Sequence, residues 1–94
     1  MEIADNTKAR RFETTVDGYR AELDYRRHGN RLVLIHTEVP EELEGNGIGS
    51  ALVTAAVEDA IEHSLTIVPQ CPFAREWLER HPDVVARARI DWYA

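Results

Sequence analysis

Val39-Pro40-Glu41-Glu42-Leu43-Glu44-Gly45-Asn46-Gly47-Ile48-Gly49-Ser50 holds three of the five glycines of the chain. It lies between an apolar run, Leu32-Val33-Leu34-Ile35, and an amphipathic stretch from Ile48 to Ile61. That order predicts a strand, a glycine turn and a helix. Glycines at alternate positions expose backbone N–H groups that Cβ atoms would otherwise crowd. A helix opening there adds four unpaired amides and the positive end of its dipole. Together these favour an anionic ligand, most often a phosphate.

Upstream of this turn, Phe12, Thr14 and Val16 alternate with polar neighbours, the pattern of a half-buried strand. Asp17-Gly18 is a hairpin signal, and Tyr19, Ala21, Leu23 and Tyr25 repeat the alternation antiparallel to the first strand. His28-Gly29-Asn30 makes the next turn, and residues 31–38 form a third strand. It is apolar on both faces from Leu32 to Ile35, which predicts a central strand covered on both sides. Pro40 ends it, and residues 1–9 read as a polar lead-in.

Downstream, apolar residues at 48, 52, 53, 56, 57, 60 and 61 trace one helical face to about His63. Leu65-Thr66-Ile67-Val68 is a short buried strand stopped by Pro69. Strand, helix and strand in succession imply a right-handed crossover, so the last two strands should be parallel. Pro72 suits the first turn of a further helix, whose apolar face is Phe73 with Trp77 and Ala74 with Leu78. His81-Pro82 ends it, and Asp83 is placed to cap one more turn through Val84 and Val85. Ile90-Asp91-Trp92-Tyr93 fits either a last strand or a packed tail. The expectation is one α/β (α+β) domain over residues 1–94, an antiparallel meander leading into a β-α-β unit with parallel strands and a C-terminal helix.

Composition narrows the function. A net charge of −6, from 11 basic and 17 acidic side chains, argues against a nucleic-acid binder, which needs a basic stripe. Lys8-Ala9-Arg10-Arg11 and Arg26-Arg27 read as solvated strand edges. No apolar run approaches membrane-spanning length and the N-terminus lacks signal-peptide order, so no membrane is expected and the cytoplasm is the expected location. The single cysteine, Cys71, has no disulfide partner within the chain, in keeping with a reducing compartment. His28, His63 and His81 show no metal-ligand spacing with Cys71, so no metal is assigned.

Two familiar phosphate motifs fail. No lysine follows the glycines as a P-loop requires. A dinucleotide fingerprint beginning at Gly45 would want its third glycine where Ser50 stands. What matches is Val39-Pro40 followed by Gly47-Ile48-Gly49 opening a helix. It resembles the acyl-CoA loop of the GNAT superfamily of N-acetyltransferases, whose usual form is Arg/Gln-x-x-Gly-x-Gly/Ala. His36-Thr37-Glu38-Val39-Pro40, Glu44-Gly45-Asn46-Gly47-Ile48-Gly49, Cys71-Pro72-Phe73 and Arg80-His81-Pro82 together resemble the small, single-domain GNAT-like proteins over about residues 10–85.

The resemblance implies a minimal GNAT-like fold with acetyl-CoA as cosubstrate and an amine as acceptor. Glu44, Gly45, Asn46, Gly47, Ile48, Gly49 and Ser50 would then form the pyrophosphate loop, and the Val39 backbone would line the pantetheine. Glu44 stands where the superfamily usually has Arg or Gln, with Glu41 and Glu42 close by. Exposed like charges of this kind cost about 0–1 kcal/mol each, so they should weaken affinity rather than abolish it. Larger members wall the acceptor site with helices between their first two strands. Here Asp17-Gly18 alone joins the corresponding strands, which suits a protein amine or a site completed by a second subunit, as in a homodimer.

Cys71 follows the strand 65–68 and stands at the N-terminus of the Pro72 helix, where a thiol gains thiolate character. The alternative is an inert cysteine packed as a small hydrophobe. His36 and Glu38 share a face by the two-residue period, so either is placed to approach Cys71 and act as a base. The alternative for His36 is a satisfied interior histidine. Phe73 and Trp77 read as core rather than as a cofactor stack. No tyrosine occurs between Tyr25 and Tyr93, so the tyrosine acid of many GNAT enzymes is absent from the expected helix. Two functions follow: an acetyl-CoA-dependent N-acetyltransferase, acting directly or through acetyl-Cys71, or a non-catalytic acyl-CoA-binding or regulatory module.

Overall fold

Apolar alternation drives the first half of the chain into an antiparallel meander. The computed structural model describes residues 1–94. Its strands there are β1 (Ala4–Asn6), β2 (Arg11–Val16), β3 (Tyr19–His28) and β4 (Arg31–Glu38). Asp17 and Gly18 take φ of +51° and +82° between the paired residues Val16 and Tyr19. Two left-handed residues match the right-handed twist of the flanking strands, which is why this dipeptide makes the tightest hairpin. A 3-10 turn at Glu41–Leu43 follows, then helix α1 (Ile48–Glu62), β5 (Thr66–Pro69), helices α2 (Pro72–Glu79) and α3 (Pro82–Val85), and β6 (Arg89–Ile90).

The strands form one sheet in the order β1-β2-β3-β4-β5-β6, antiparallel up to β4 and parallel from β4 onward. The expected strand–helix–parallel strand unit is therefore present, with Leu32 opposite Ile67 and Val33 opposite Val68. Both crossovers step the same way across the sheet, and right-handed connections then lay α1 and α2 on the same face. Leu23, Leu34 and Ile67 from the sheet pack there with Leu52, Val53, Ala56 and Val57 of α1 and Ala74 and Leu78 of α2, all fully buried. No helix covers the opposite face.

Five details add to or depart from the sequence expectation. The lead-in contains β1, a three-residue edge strand too short to show a period. The C-terminal segment contributes β6, with the Asp91 amide donating to the Ile67 carbonyl at 2.8 Å. Pro69 lies inside β5, opposite Leu34, and His81 rather than Asp83 occupies the cap position of α3. The last concerns β4. It is central but covered on one side only, and Ile35 is 37% exposed. Tyr25 pairs with Leu34 and Asp24 with His36, so Ile35 is an extra residue, a β-bulge.

The bulge decides which side chains reach the site. Without it, Leu32, Leu34, His36 and Glu38 would share the core face. With it, Thr37 follows Leu34 onto that face, opposite the buried Leu23. His36 and Glu38 turn to the open face, opposite Asp24 and Glu22.

Candidate active site

Beyond β4, Leu43 is 2% exposed and anchors the loop to the core. Asn46 Nδ2 donates to the Leu43 carbonyl at 3.2 Å, closing the loop upon itself. Gly45 and Gly47 take φ of +86° and +72°, a region that costs other L-residues about 1–2 kcal/mol. Gly47 sits directly before α1, and no side chain caps that helix. The first helical bond runs from the Ala51 amide to the Gly47 carbonyl at 3.0 Å. The amides of Ile48, Gly49 and Ser50 ahead of it have no helical acceptor. No acidic residue lies in that first turn, so the positive end of a 15-residue helix is left open.

These amides border a cleft of about 480 Å³. Thr37, Glu38 and Val39 from the end of β4 form one wall. Leu43, Glu44, Gly45 and the start of α1 (Gly47, Ile48, Gly49, Ser50) form the other, and Phe73 of α2 closes a side. Of the loop residues expected to hold a cofactor, all but Asn46 line this cleft. Gly49 has a second role. A Cβ there would lie 2.7 Å from Phe73 Cζ, so glycine is what lets the ring pack down against α1. Phe73 is 44% exposed, so it is a cleft wall and not the core residue expected from its spacing. Trp77 Nε1 donates to Ser50 Oγ at 2.8 Å, tying α2 to the first turn of α1.

Cys71 lies at the end of β5 and holds the cap position of α2. Its amide donates to the Leu34 carbonyl at 2.8 Å, and its side chain is 2% exposed. Thr37 Oγ1 stands 3.1 Å from Cys71 Sγ, the contact expected of His36 or Glu38. His36 Nε2 lies instead 3.3 Å from Glu38 Oε1 on the open side of the sheet, both side chains well exposed. The structure thus brings His36 to Glu38, Glu38 to the cleft and Thr37 to Cys71. Thr37 was missed because a bulge leaves no mark on the alternation, although it sits within the His36–Pro40 stretch.

The open face behind Glu38 is charged. Burial and a hydrogen bond with Glu22 push the Asp24 carboxyl up to about 6, because two neighbouring carboxylates resist joint ionisation. Glu22 is held below its ordinary value by that same bond and by Arg11 and Arg20. No set of three or more His, Cys, Asp or Glu side chains is arranged to hold a metal ion.

The family model described as GCN5-related N-acetyl-transferase matches residues 11–87, from β2 to just past α3. The chain belongs to the GCN5-related N-acetyltransferase family. Protein NATD1 of Gallus gallus is 32% identical over 85 residues, covering 87% of this chain and 77% of the relative. The Homo sapiens NATD1 is 31% identical, covering 87% and 75%. A GCN5-like protein from Staphylococcus aureus, solved by NMR, superposes with a TM-score of 0.73 at 31% identity. That match spans 98% of this chain and 92% of the other. Within the GCN5-related family the cleft at the end of β4 is the natural candidate for the active site, and Glu44 remains its unusual wall.

Proposed function

We propose that this chain transfers an acetyl group from acetyl-CoA to an amine, with the pyrophosphate seated on the amides of Ile48, Gly49 and Ser50. The observation that carries this is the left-handed pair Gly45 and Gly47 feeding an uncapped helix at the mouth of the cleft. Family membership supports the same cosubstrate. The Val39 backbone, on the β4 side, lines the path for the pantetheine.

In direct transfer, the amine lone pair bonds to the thioester carbonyl carbon. The C–S bond then breaks, CoA leaves as its thiolate, and the amine proton passes to a base. Glu38 is the group for that last step: it lines the cleft at the end of β4, and its carboxylate, 3.3 Å from His36 Nε2, stands on the open face from which an amine can approach. The covalent route would pass the acetyl group first to Cys71 Sγ, with loss of the thiol proton, and then to the amine. Burial of that sulfur favours the direct route. The Cys71→Ala variant, assayed for CoA release with a panel of amines, should keep most of its turnover. Loss of turnover with acetyl-CoA affinity intact would establish the covalent route instead.

A second reading, an acyl-CoA-binding module without catalysis, is favoured by the two-residue Asp17-Gly18 hairpin, which leaves the open face without helices to enclose an acceptor. Calorimetric titration with acetyl-CoA comes first: micromolar affinity, about −8 kcal/mol, is expected. Binding without transfer to any amine would favour the module, and no binding up to about 1 mM would defeat both readings.

A further inference from the structure

Coenzyme A carries a phosphate monoester on its ribose as well as the pyrophosphate, and the loop from Val39 to Ser50 contains no basic side chain to meet either. A cationic group, Arg80, faces the groove that adjoins the cleft at Phe73. That groove, of about 200 Å³, is lined by Phe73, Glu76, Trp77, Arg80 and His81, and Phe73 is the one residue it shares with the cleft. The hydrogen bond from Trp77 Nε1 to Ser50 Oγ fixes this groove directly beside the first turn of α1.

We propose that this groove binds the 3′-phosphate of the coenzyme A adenosine, with Arg80 as its cationic anchor beside the His81 ring. The proposal rests on the acyl-CoA reading of the cleft. Three features of the groove carry it. Arg80 is 74% exposed and bound only to Glu76, at 2.6 Å one turn earlier on the same helix. Such an exposed pair is weak, and a phosphate monoester with a charge near −2 at neutral pH competes well for a guanidinium.

His81 is already oriented. Its ring stacks on Trp77 at 3.8 Å with the planes 14° apart, and Nδ1 lies 2.6 Å from the Trp77 carbonyl. A carbonyl only accepts, so Nδ1 carries the proton and Nε2 is left free to accept a hydrogen bond from a ligand hydroxyl or a water. The third feature is the absence of competitors. Arg75, the other cation on α2, is held by the Trp92 carbonyl at 2.8 Å and lies over the Trp92 ring. This arrangement supplies the cation that Glu44 does not.

The test compares CoA with 3′-dephospho-CoA by calorimetry on the full chain. The wild-type protein should bind CoA about tenfold more tightly, the size of one charge-assisted contact at an exposed site. Arg80→Gln should remove that preference by weakening CoA alone, with dephospho-CoA affinity unchanged. Glu76→Gln frees Arg80 and should widen the preference. Equal affinities in the wild-type protein, or an Arg80→Gln variant that weakens both ligands alike, would overturn the groove while leaving the cleft standing. Failure to bind either ligand would overturn the cleft reading itself, and the groove with it.

Discussion

Gly47 and Gly49 stand two residues apart in one motif and answer to different physics. Gly47 is glycine for its backbone: φ is +72° and a Cβ would meet nothing within 4 Å. Gly47→Ala should therefore cost about 1 kcal/mol of left-handed strain, a fall in Tm of roughly 4–8 °C for a chain of this size. An unchanged Tm would show that the turn relaxes to another conformation. Gly49 is glycine for its neighbour, the Phe73 ring. Its backbone is helical, so alanine adds helix propensity of up to about 1 kcal/mol while pushing aside a ring that is half in solvent. Gly49→Ala should thus leave Tm nearly unchanged but weaken acetyl-CoA binding, because the displaced ring enters the cleft. Gly49→Ala with Phe73→Ala should recover part of that affinity. A large loss of Tm in the single variant would mean that the ring has nowhere to go.

Among the elements, β4 shapes the site most, through one inserted residue. Deleting Ile35 would make the pairs Tyr25–Leu34 and Asp24–His36 consecutive, as a regular ladder requires. The deletion should fold, with an unchanged far-UV CD spectrum, yet move Thr37 and Val39 relative to Cys71 and the cleft. Misplacement of about 1 Å can cost about 10²-fold in turnover, so kcat/KM is the quantity to measure. A chain that fails to fold would show that the bulge serves the sheet and not the site. The same element marks what the sequence could tell. The hairpin at Asp17-Gly18, the span of β4, the crossover through α1 and the glycine turn were legible, since each rests on local backbone preference or a sustained period. The bulge was not, because either neighbour of Ile35 extends a plausible alternation. β1 and β6 are two or three residues long and owe their pairing to strands already in place. Phe73 has the spacing of a core residue, and only the tertiary approach of α1 turns it into a wall of the cleft.

At the scale of the whole molecule, a sheet with helices on one side leaves its other face to water, and that face carries the charge. Arg11 and Glu13 of β2, Arg20, Glu22 and Asp24 of β3, and His36 and Glu38 of β4 share it. Its carboxylates pull in opposite directions as pH changes. Glu13, bonded to Arg11, and Glu22, bonded to Asp24, are held below their ordinary values. Glu13 contributes stability that is present at neutral pH and lost as the solution is acidified, while the bond that lowers Glu22 needs the Asp24 proton and goes when that proton is lost. Asp24 runs the other way. Its carboxyl rises from 3.8 to about 6, so the folded chain binds more protons than the unfolded one between those limits. Stability then falls as pH rises through that window, and the full penalty remains above it. The Asp24→Asn variant removes the penalty and keeps a partner for Glu22. Its gain should be near zero at about pH 3.5, grow through about pH 4–6 and level off above. With solvent screening of a half-buried group the plateau should be about 1 kcal/mol, or roughly 4–8 °C in Tm. Thermal melts of both proteins across that range provide the measurement. A gain equally large at pH 3.5 and pH 8 would assign it to packing or helix-independent backbone effects, and would remove the shared proton of Glu22 and Asp24 from the account of this face.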